Sequence, residues 1–326
     1  MESQLQDMAF SLSSTIFTAF LDRVPPRVDE GIEDFYLRAN DLRKTAEPVR
    51  FVETGGNSEA RVSREGKTAR ASFGFAKVKG PKKLTVEDFH VARIQEVDNQ
   101  NIGLFAIMDG HAGPDVAVYL TDNLFEVITT HPEFWKDPKK AISEAYHETD
   151  ERIIGMGNTD MKLRVGSTAT TALLLDNGKH LIVANVGDSR AVLSRNGKAL
   201  DLSVDHEPQK PDERQMVESK GGVVSRSVAS GIYRVDRRLA MSRAFGDYDL
   251  KQHLSVQPDI WDEQLVADDE FFVIASDGVW HVMNSQEVVD LVRSTPGTSQ
   301  QVAQAVVSAA LQRDSRDDIT CLIVFL

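Results

Sequence analysis

Apolar and polar positions alternate with a period of two over residues 71–78 and 89–96, which predicts two half-buried strands. Residues 102–108 form a continuous apolar run, a buried strand reached through the turn Asp98-Asn99-Gln100-Asn101. Residues 115–129 and 139–154 carry helical spacing, the second with Pro138 just before its start. A β block follows. Residues 168–175 turn at Asp176-Asn177-Gly178 into 180–186, and 191–194 turn at Arg195-Asn196-Gly197 into 199–202. Asn-Gly pairs accept the left-handed backbone of tight hairpins, so these strands are expected to pair antiparallel. A short helix over 211–219 ends at Gly221-Gly222, a strand covers 271–275, helices cover 285–293 and 299–313, and a strand over 319–326 closes the chain. Many hairpins with helices grouped in pairs argue for an α+β fold. Apolar strands need cover on both faces. The expectation is two stacked antiparallel β-sheets flanked by α-helices, an α-β-β-α sandwich.

The N-terminal part reads differently. Residues 52–72, with Gly55-Gly56-Asn57-Ser58 and Ser63-Arg64-Glu65-Gly66-Lys67, are polar and breaker-rich and suggest a linker. Residues 28–43 suit a helix. Residues 8–21 suit an amphipathic helix docking on the domain and are too short and hydroxyl-rich to span a membrane. Glu2 and Asp7 precede them, which argues against a signal peptide. The chain thus divides into a partly helical N-terminal extension with linker, 1–71, and a main domain, 72–326. The net charge of −13 over 326 residues argues against a broad nucleic-acid or anionic-membrane surface. The single cysteine, Cys321, lies in the last apolar run and reads as a buried, inert thiol, which fits a reducing compartment, cytoplasm and/or nucleus. No long coiled-coil pattern appears, so a monomer is expected.

Candidate chemistry sits at strand ends. Ala106-Ile107-Met108 runs into Asp109-Gly110-His111, the strand near 271–274 runs into Ala275-Ser276-Asp277-Gly278, and Asp317-Asp318 precede the last strand. Each Asp-Gly alone reads as a turn, and each Asp before an apolar residue as a cap. Together, acidic residues at the ends of three apolar strands also read as an oxygen cage for hard divalent cations. Both readings stand on the residues alone. In the metal reading, Asp109 bridges two ions, the Gly110 carbonyl adds a ligand, and His111 offers a proton near neutral pH.

These motifs, with others in order, resemble the metal-dependent protein serine/threonine phosphatases of type 2C, plant members most of all. The resemblance runs over about residues 72–326. It includes Val86-Glu87-Asp88, Asp109-Gly110-His111-Ala112-Gly113, Gly166-Ser167-Thr168-Ala169, Ala184-Asn185-Val186-Gly187-Asp188-Ser189-Arg190-Ala191, Leu202-Ser203-Val204-Asp205-His206-Glu207-Pro208, Ala240-Met241-Ser242-Arg243-Ala244-Phe245-Gly246-Asp247, Ala275-Ser276-Asp277-Gly278-Val279-Trp280 and Ser315-Arg316-Asp317-Asp318-Ile319-Thr320. It implies hydrolysis of phosphoserine or phosphothreonine by a metal-bridging hydroxide at a site with two Mg²⁺ or Mn²⁺ per subunit, without a phosphoenzyme. By position, Asp109, Gly110, Asp277, Asp317 and Glu87 would hold the two metals, His111 would be the general acid, and Asp188 matches a residue of a third metal site. Phosphoprotein substrates are the implied partners, with kinases a further class.

Three departures stand out. Where many members place Arg before the first acidic motif, this chain has Lys79-Gly80-Pro81-Lys82-Lys83, so Lys82 or Lys83 would contact phosphate as a point charge. His281 stands where many have Asp, which puts the third metal in doubt. The flap region, 207–231, has no Trp, which argues against the Trp-lock of hormone co-receptor relatives. A phosphoprotein-binding module without catalysis and another two-metal phosphoesterase remain the competing readings.

Overall fold

Strands whose two faces are both apolar need cover on both sides, and the chain supplies it by stacking two sheets between helical layers. The computed structural model describes residues 53–64, 67–81, 83–157 and 165–326. One antiparallel sheet runs β1-β2-β15-β14-β8-β9, built from β1 (Glu53–Arg64), β2 (Lys67–Val78), β8 (Arg190–Arg195), β9 (Lys198–Asp201), β14 (Asp269–Ala275) and β15 (Ile319–Phe325). The other runs β12-β5-β4-β6-β7-β13, with β3 also paired to β4. Its strands are β3 (Asp88–Val97), β4 (Gln100–His111), β5 (Gly166–Ser167), β6 (Ala169–Leu175), β7 (His180–Val186), β12 (Phe245–Gly246) and β13 (Asp259–Gln264).

The period of two divides each buried strand between two cores. On β15, Leu322 and Val324 face the opposite sheet while Ile319, Cys321 and Ile323 face helices. On β4, Phe105 and Ile107 point between the sheets while Leu104, Ala106 and Met108 point outward. Phe105 meets Phe73 and Phe272 edge-on at 5.4 and 5.6 Å, so three strands of two sheets share one aromatic contact. Helices α1 (Asp115–Thr129) and α2 (Pro138–Gly157) cover the β4 sheet through Leu120, Leu124, Ile142 and Tyr146. Past a short α3 (Pro211–Ser219) and a single turn, α4 (Asp277–Trp280), helices α5 (Ser285–Ser294) and α6 (Ser299–Gln312) cover the other sheet through Val288, Val289, Val302 and Val306. The expected α-β-β-α sandwich is therefore present, and Cys321 is buried in it.

Turn chemistry is legible in the backbone. Asn196 and Gly197 both have positive φ, 49° and 73°, which matches the twist of the two-residue β8–β9 hairpin. The stretch expected as a linker is different. Residues 53–64 and 67–78 pair as the β1–β2 hairpin, with an irregularity between Gly55 and Ser58. An outer strand needs backbone partners rather than an apolar pattern, so its polar composition concealed it. The boundary at residue 71 therefore falls inside β2. The expected helices over 8–21 and 28–43 lie outside the described residues.

Strands β12 and β13 and the ribbon β10 (Val224–Arg226) with β11 (Tyr233–Val235) were also not expected. β13 carries Asp259, Asp262 and Glu263 on a sheet edge, where charge is tolerated and alternation is weak. The β10–β11 ribbon and α3 form an excursion with its own small core of Val217, Val224, Val235, Leu239, Leu250 and Leu254.

Gly74 of β2 shows how tightly the layers approach. A Cβ there would fall onto the backbone of Ser299 and Gln300 at the start of α6. Backbone cannot step aside as a flexible side chain can, so Gly74→Ala is expected to cost about 1–3 kcal/mol in urea unfolding, with the secondary-structure spectrum unchanged.

Candidate metal centre

Both sheets deliver carboxylates to one end of the sandwich. Asp109 lies two residues before the end of β4, Asp188 lies in the β7–β8 turn, Asp277 opens α4 after β14, and Asp317 precedes β15. One oxygen from each of Asp109, Asp188 and Asp277 lies within 4.8 Å of the others. Asp188, expected at a peripheral third site, thus sits in the tightest group, and Asp317 lies outside it. Asp188 Oδ1 and Asp277 Oδ1 are buried without a hydrogen-bond donor. Unpaired carboxylate oxygens facing one another are costly unless a cation joins them. An all-oxygen set of this kind fits a hard divalent ion.

The electrostatics carry the same signature. Burial, followed by the charges of Asp88 and Asp277, pushes the Asp109 carboxyl well above its usual range. Burial and then Asp277 push Asp188 up to about 7. Burial and then Asp317 push Asp277 up to about 7. Asp88, which opens β3 opposite Asp109, is raised to about 6, chiefly by burial, although Thr320 and Ser276 both donate to its Oδ2.

Hydrogen-bonded clamps hold these carboxylates in place. Thr168 Oγ1 accepts from the Asp109 N–H at 3.0 Å and pairs with Ser189 Oγ at 3.1 Å, so one hydroxyl links the strand end to the Asp188 turn. The Gly187 N–H donates to His206 Nδ1 at 3.0 Å, and His206 Nε2 in turn faces Asp259. Gly187 has φ of 108° and packs on Thr168, where a side chain has no room. Asp318 accepts from the N–H groups of Gly80 and Glu87, each at 2.7 Å, and so fastens the 80–87 loop beside Asp317. The Gly110 N–H donates to the Glu87 carbonyl, and a Cβ on Gly110 would lie 2.7 Å from that oxygen.

Glu87 joins the site through Lys83. Lys83 Nζ lies 2.9 Å from Glu87 Oε2 and 3.0 Å from Asp317 Oδ1. Burial alone would lower the pKa of this ammonium, but hydrogen bonds to Glu87 and Asp317 outweigh it and hold Lys83 above the ordinary lysine range. Lys82 lies outside the described residues. His281, at the rim and 65% exposed, places Nδ1 3.5 Å from Asp277 Oδ2.

His111 Nε2 lies 2.7 Å from Asp247 Oδ2, and Asp247 is buried. His111 Nδ1 has no hydrogen-bond partner. Gly166 passes so close that any side chain there would collide with both His111 and Asp247. Asp247, Thr168 and Asp318 all stand in motifs quoted above but received no role from spacing, because their partners come from distant strands. The one signal available was their place inside motif strings.

A carboxyl raised in the fold binds its proton more tightly there than in the unfolded chain. Metal-free protein should therefore lose stability as pH rises from about 4 to 7, through the ranges of Asp88, Asp188 and Asp277. Added Mn²⁺ is expected to displace those protons. Calorimetry near neutral pH in buffers of different ionisation enthalpy should report net proton release, and thermal melts should show a metal-induced gain that grows with pH. Thr168→Val, which keeps the shape and removes the linking hydroxyl, should weaken Mn²⁺ binding by about tenfold.

Comparison with known proteins gives the geometry its context. A family profile described as Protein phosphatase 2C matches residues 72–319. Probable protein phosphatase 2C 20 of Arabidopsis thaliana is 49% identical over 253 residues, 77% of this chain and 84% of that protein. Probable protein phosphatase 2C 62 of Oryza sativa subsp. japonica is 42% identical over 90% of this chain and 98% of its own length. Among solved structures, the serine-threonine phosphatase 2C from Toxoplasma gondii superposes with a TM-score of 0.70 over 86% of this chain and 99% of that one, at 23% identity, a likeness of fold. With its motifs in order and its carboxylates gathered at one end of the sandwich, the chain belongs to the protein phosphatase 2C family, a family of metal-dependent serine/threonine protein phosphatases.

Proposed function

We propose that the chain hydrolyses phosphoserine and phosphothreonine in protein substrates at a centre for two Mg²⁺ or Mn²⁺ ions, held by Asp109, the Gly110 carbonyl, Glu87, Asp277 and Asp317, with Asp188 adjoining. The observation that carries this reading is the Asp109–Asp188–Asp277 group with its donor-less oxygens. When bound, such a pair of ions supplies a water activated at neutral pH and compensates the charge of the phosphoryl oxygens.

The chain's own groups do the rest. Asp109, from β4, has an oxygen within 4.8 Å of one from Asp277 just after β14, so its carboxylate would help hold both ions. Lys83 offers a flexible positive charge to the phosphate, without the fork of an arginine. His111 hands a proton to the leaving serine or threonine oxygen. With both ring nitrogens protonated, His111 donates Nε2–H to Asp247, which fixes the ring's orientation, and carries the transferable proton on Nδ1, for which the described residues offer no partner. The net charge of −13 suits soluble phosphoprotein substrates of the cytoplasm or nucleus better than nucleic acid.

Phosphate release from a phosphothreonine peptide tests this directly. Activity should require Mn²⁺ or Mg²⁺, vanish with EDTA, and fall at least about 10³-fold in Asp109→Asn. Metal-independent turnover would overturn the metal-centre reading, and absent turnover in folded protein would overturn the hydrolase reading in favour of a phosphoprotein-binding module. His111→Ala should lower turnover of the peptide by about 10²-fold or more while largely sparing an aryl phosphate, whose leaving group needs no proton. Asp247→Asn should reduce kcat on the peptide by about tenfold with KM little changed, the pattern of a group that orients His111 rather than binds substrate.

A further inference from the structure

We propose that Lys83 is a tethered counter-cation of the metal centre: its ammonium joins Glu87 and Asp317 in the metal-free protein and is displaced from between them when divalent cations bind. This inference rests on the two-ion reading above and adds a competitor that belongs to the chain.

The geometry is specific. Lys83 Nζ contacts one oxygen of each carboxylate, at 2.9 and 3.0 Å, so it bridges two residues from opposite ends of the sequence. Both of those residues are expected to hold metal. The backbone around the lysine is anchored. Its N–H donates to the Gly80 carbonyl, its own carbonyl accepts from Lys79 Nζ at 2.8 Å, and Asp318 fastens the N–H groups of Gly80 and Glu87. Only the four-carbon stem is left to move. An ammonium and a divalent ion repel strongly at contact distance, and the same oxygens cannot serve both at full strength. A lysine can withdraw along its stem and present the same charge elsewhere, whereas a guanidinium is a rigid fork matched to one pair of oxygens.

The device has a physical purpose. Asp88, Asp109, Asp188, Asp277 and Asp317 are crowded together, and without a cation their repulsion opposes folding. A resident ammonium offsets part of that repulsion, at the cost of weaker metal binding.

The test is an Mn²⁺ titration by calorimetry of the full chain, stripped of metal, as wild type and as Lys83→Met. The variant should bind Mn²⁺ about tenfold more tightly, and the gain should persist when salt is raised from about 0.15 to 0.5 M, because a contact pair is screened less than a distant charge. Its metal-free melting temperature should fall while the Mn²⁺-saturated one stays near that of wild type. In the wild-type protein, acetylation of the Lys83 amine, read by mass spectrometry, should accelerate on adding Mn²⁺. Equal or weaker Mn²⁺ affinity in Lys83→Met, or an acetylation rate indifferent to metal, would overturn the inference and leave the metal reading intact. Failure of the wild-type protein to bind Mn²⁺ at all would overturn both.

Discussion

Carboxylates forced together against their own repulsion are the constraint on which the rest of this structure depends. Asp109, Asp188 and Asp277 bring oxygens within 4.8 Å of one another, and two of those side chains hold a buried oxygen with no donor. Left to solvent, such groups would separate. They stay because each is welded to a different part of a rigid sandwich: the last residues of a strand, the turn that crosses from one sheet to the other, and the first residue of a helical turn. Core packing holds them there. Interdigitated strands such as β4, β14 and β15, each apolar on both faces, resist the small displacement that would relieve the repulsion.

The supports are hydrogen bonds that bring no positive charge, together with close backbone approaches. Thr168 ties Asp109 to the Asp188 turn, Asp318 fastens the loop that carries Lys83 and Glu87, and Gly110 and Gly187 allow contacts that a Cβ would block. Clamps without positive charge suit this task, since positive groups here would compete with a bound cation. Lys83 is the exception, and its mobile stem makes the competition reversible.

A second network reaches from the site into the excursion built on α3. Arg243 pairs with Glu213 of that helix and with Asp259 of β13, while His206 connects Asp259 to Gly187 beside Asp188. His206 and then Arg243 hold the Asp259 carboxylate down at about 2, so Asp259 stays ionised throughout the neutral range. The excursion has a small core of its own, and this path of charged and hydrogen-bonded groups fastens it to the sandwich next to the Asp188 turn.

Much of the fold was legible because period-two alternation, continuous apolar runs and Asn-Gly turns are local signals. They located β4, α1, the β6–β9 block and the last strand to within a few residues. They missed β1, β12 and β13, which lie at or near sheet edges, where backbone pairing stabilises a strand whatever its side chains. For the site, the sequence by itself determined which residue types stand at strand ends, and, through the resemblance those motifs carry, the family and its chemistry. Tertiary structure alone decided which carboxylates meet: that Asp188 joins Asp109 and Asp277, that Asp317 reaches Glu87 through Lys83, and that Asp247 holds His111. Such meetings depend on the register and stacking of two sheets, and long-range packing sets these without leaving a periodic mark on the chain.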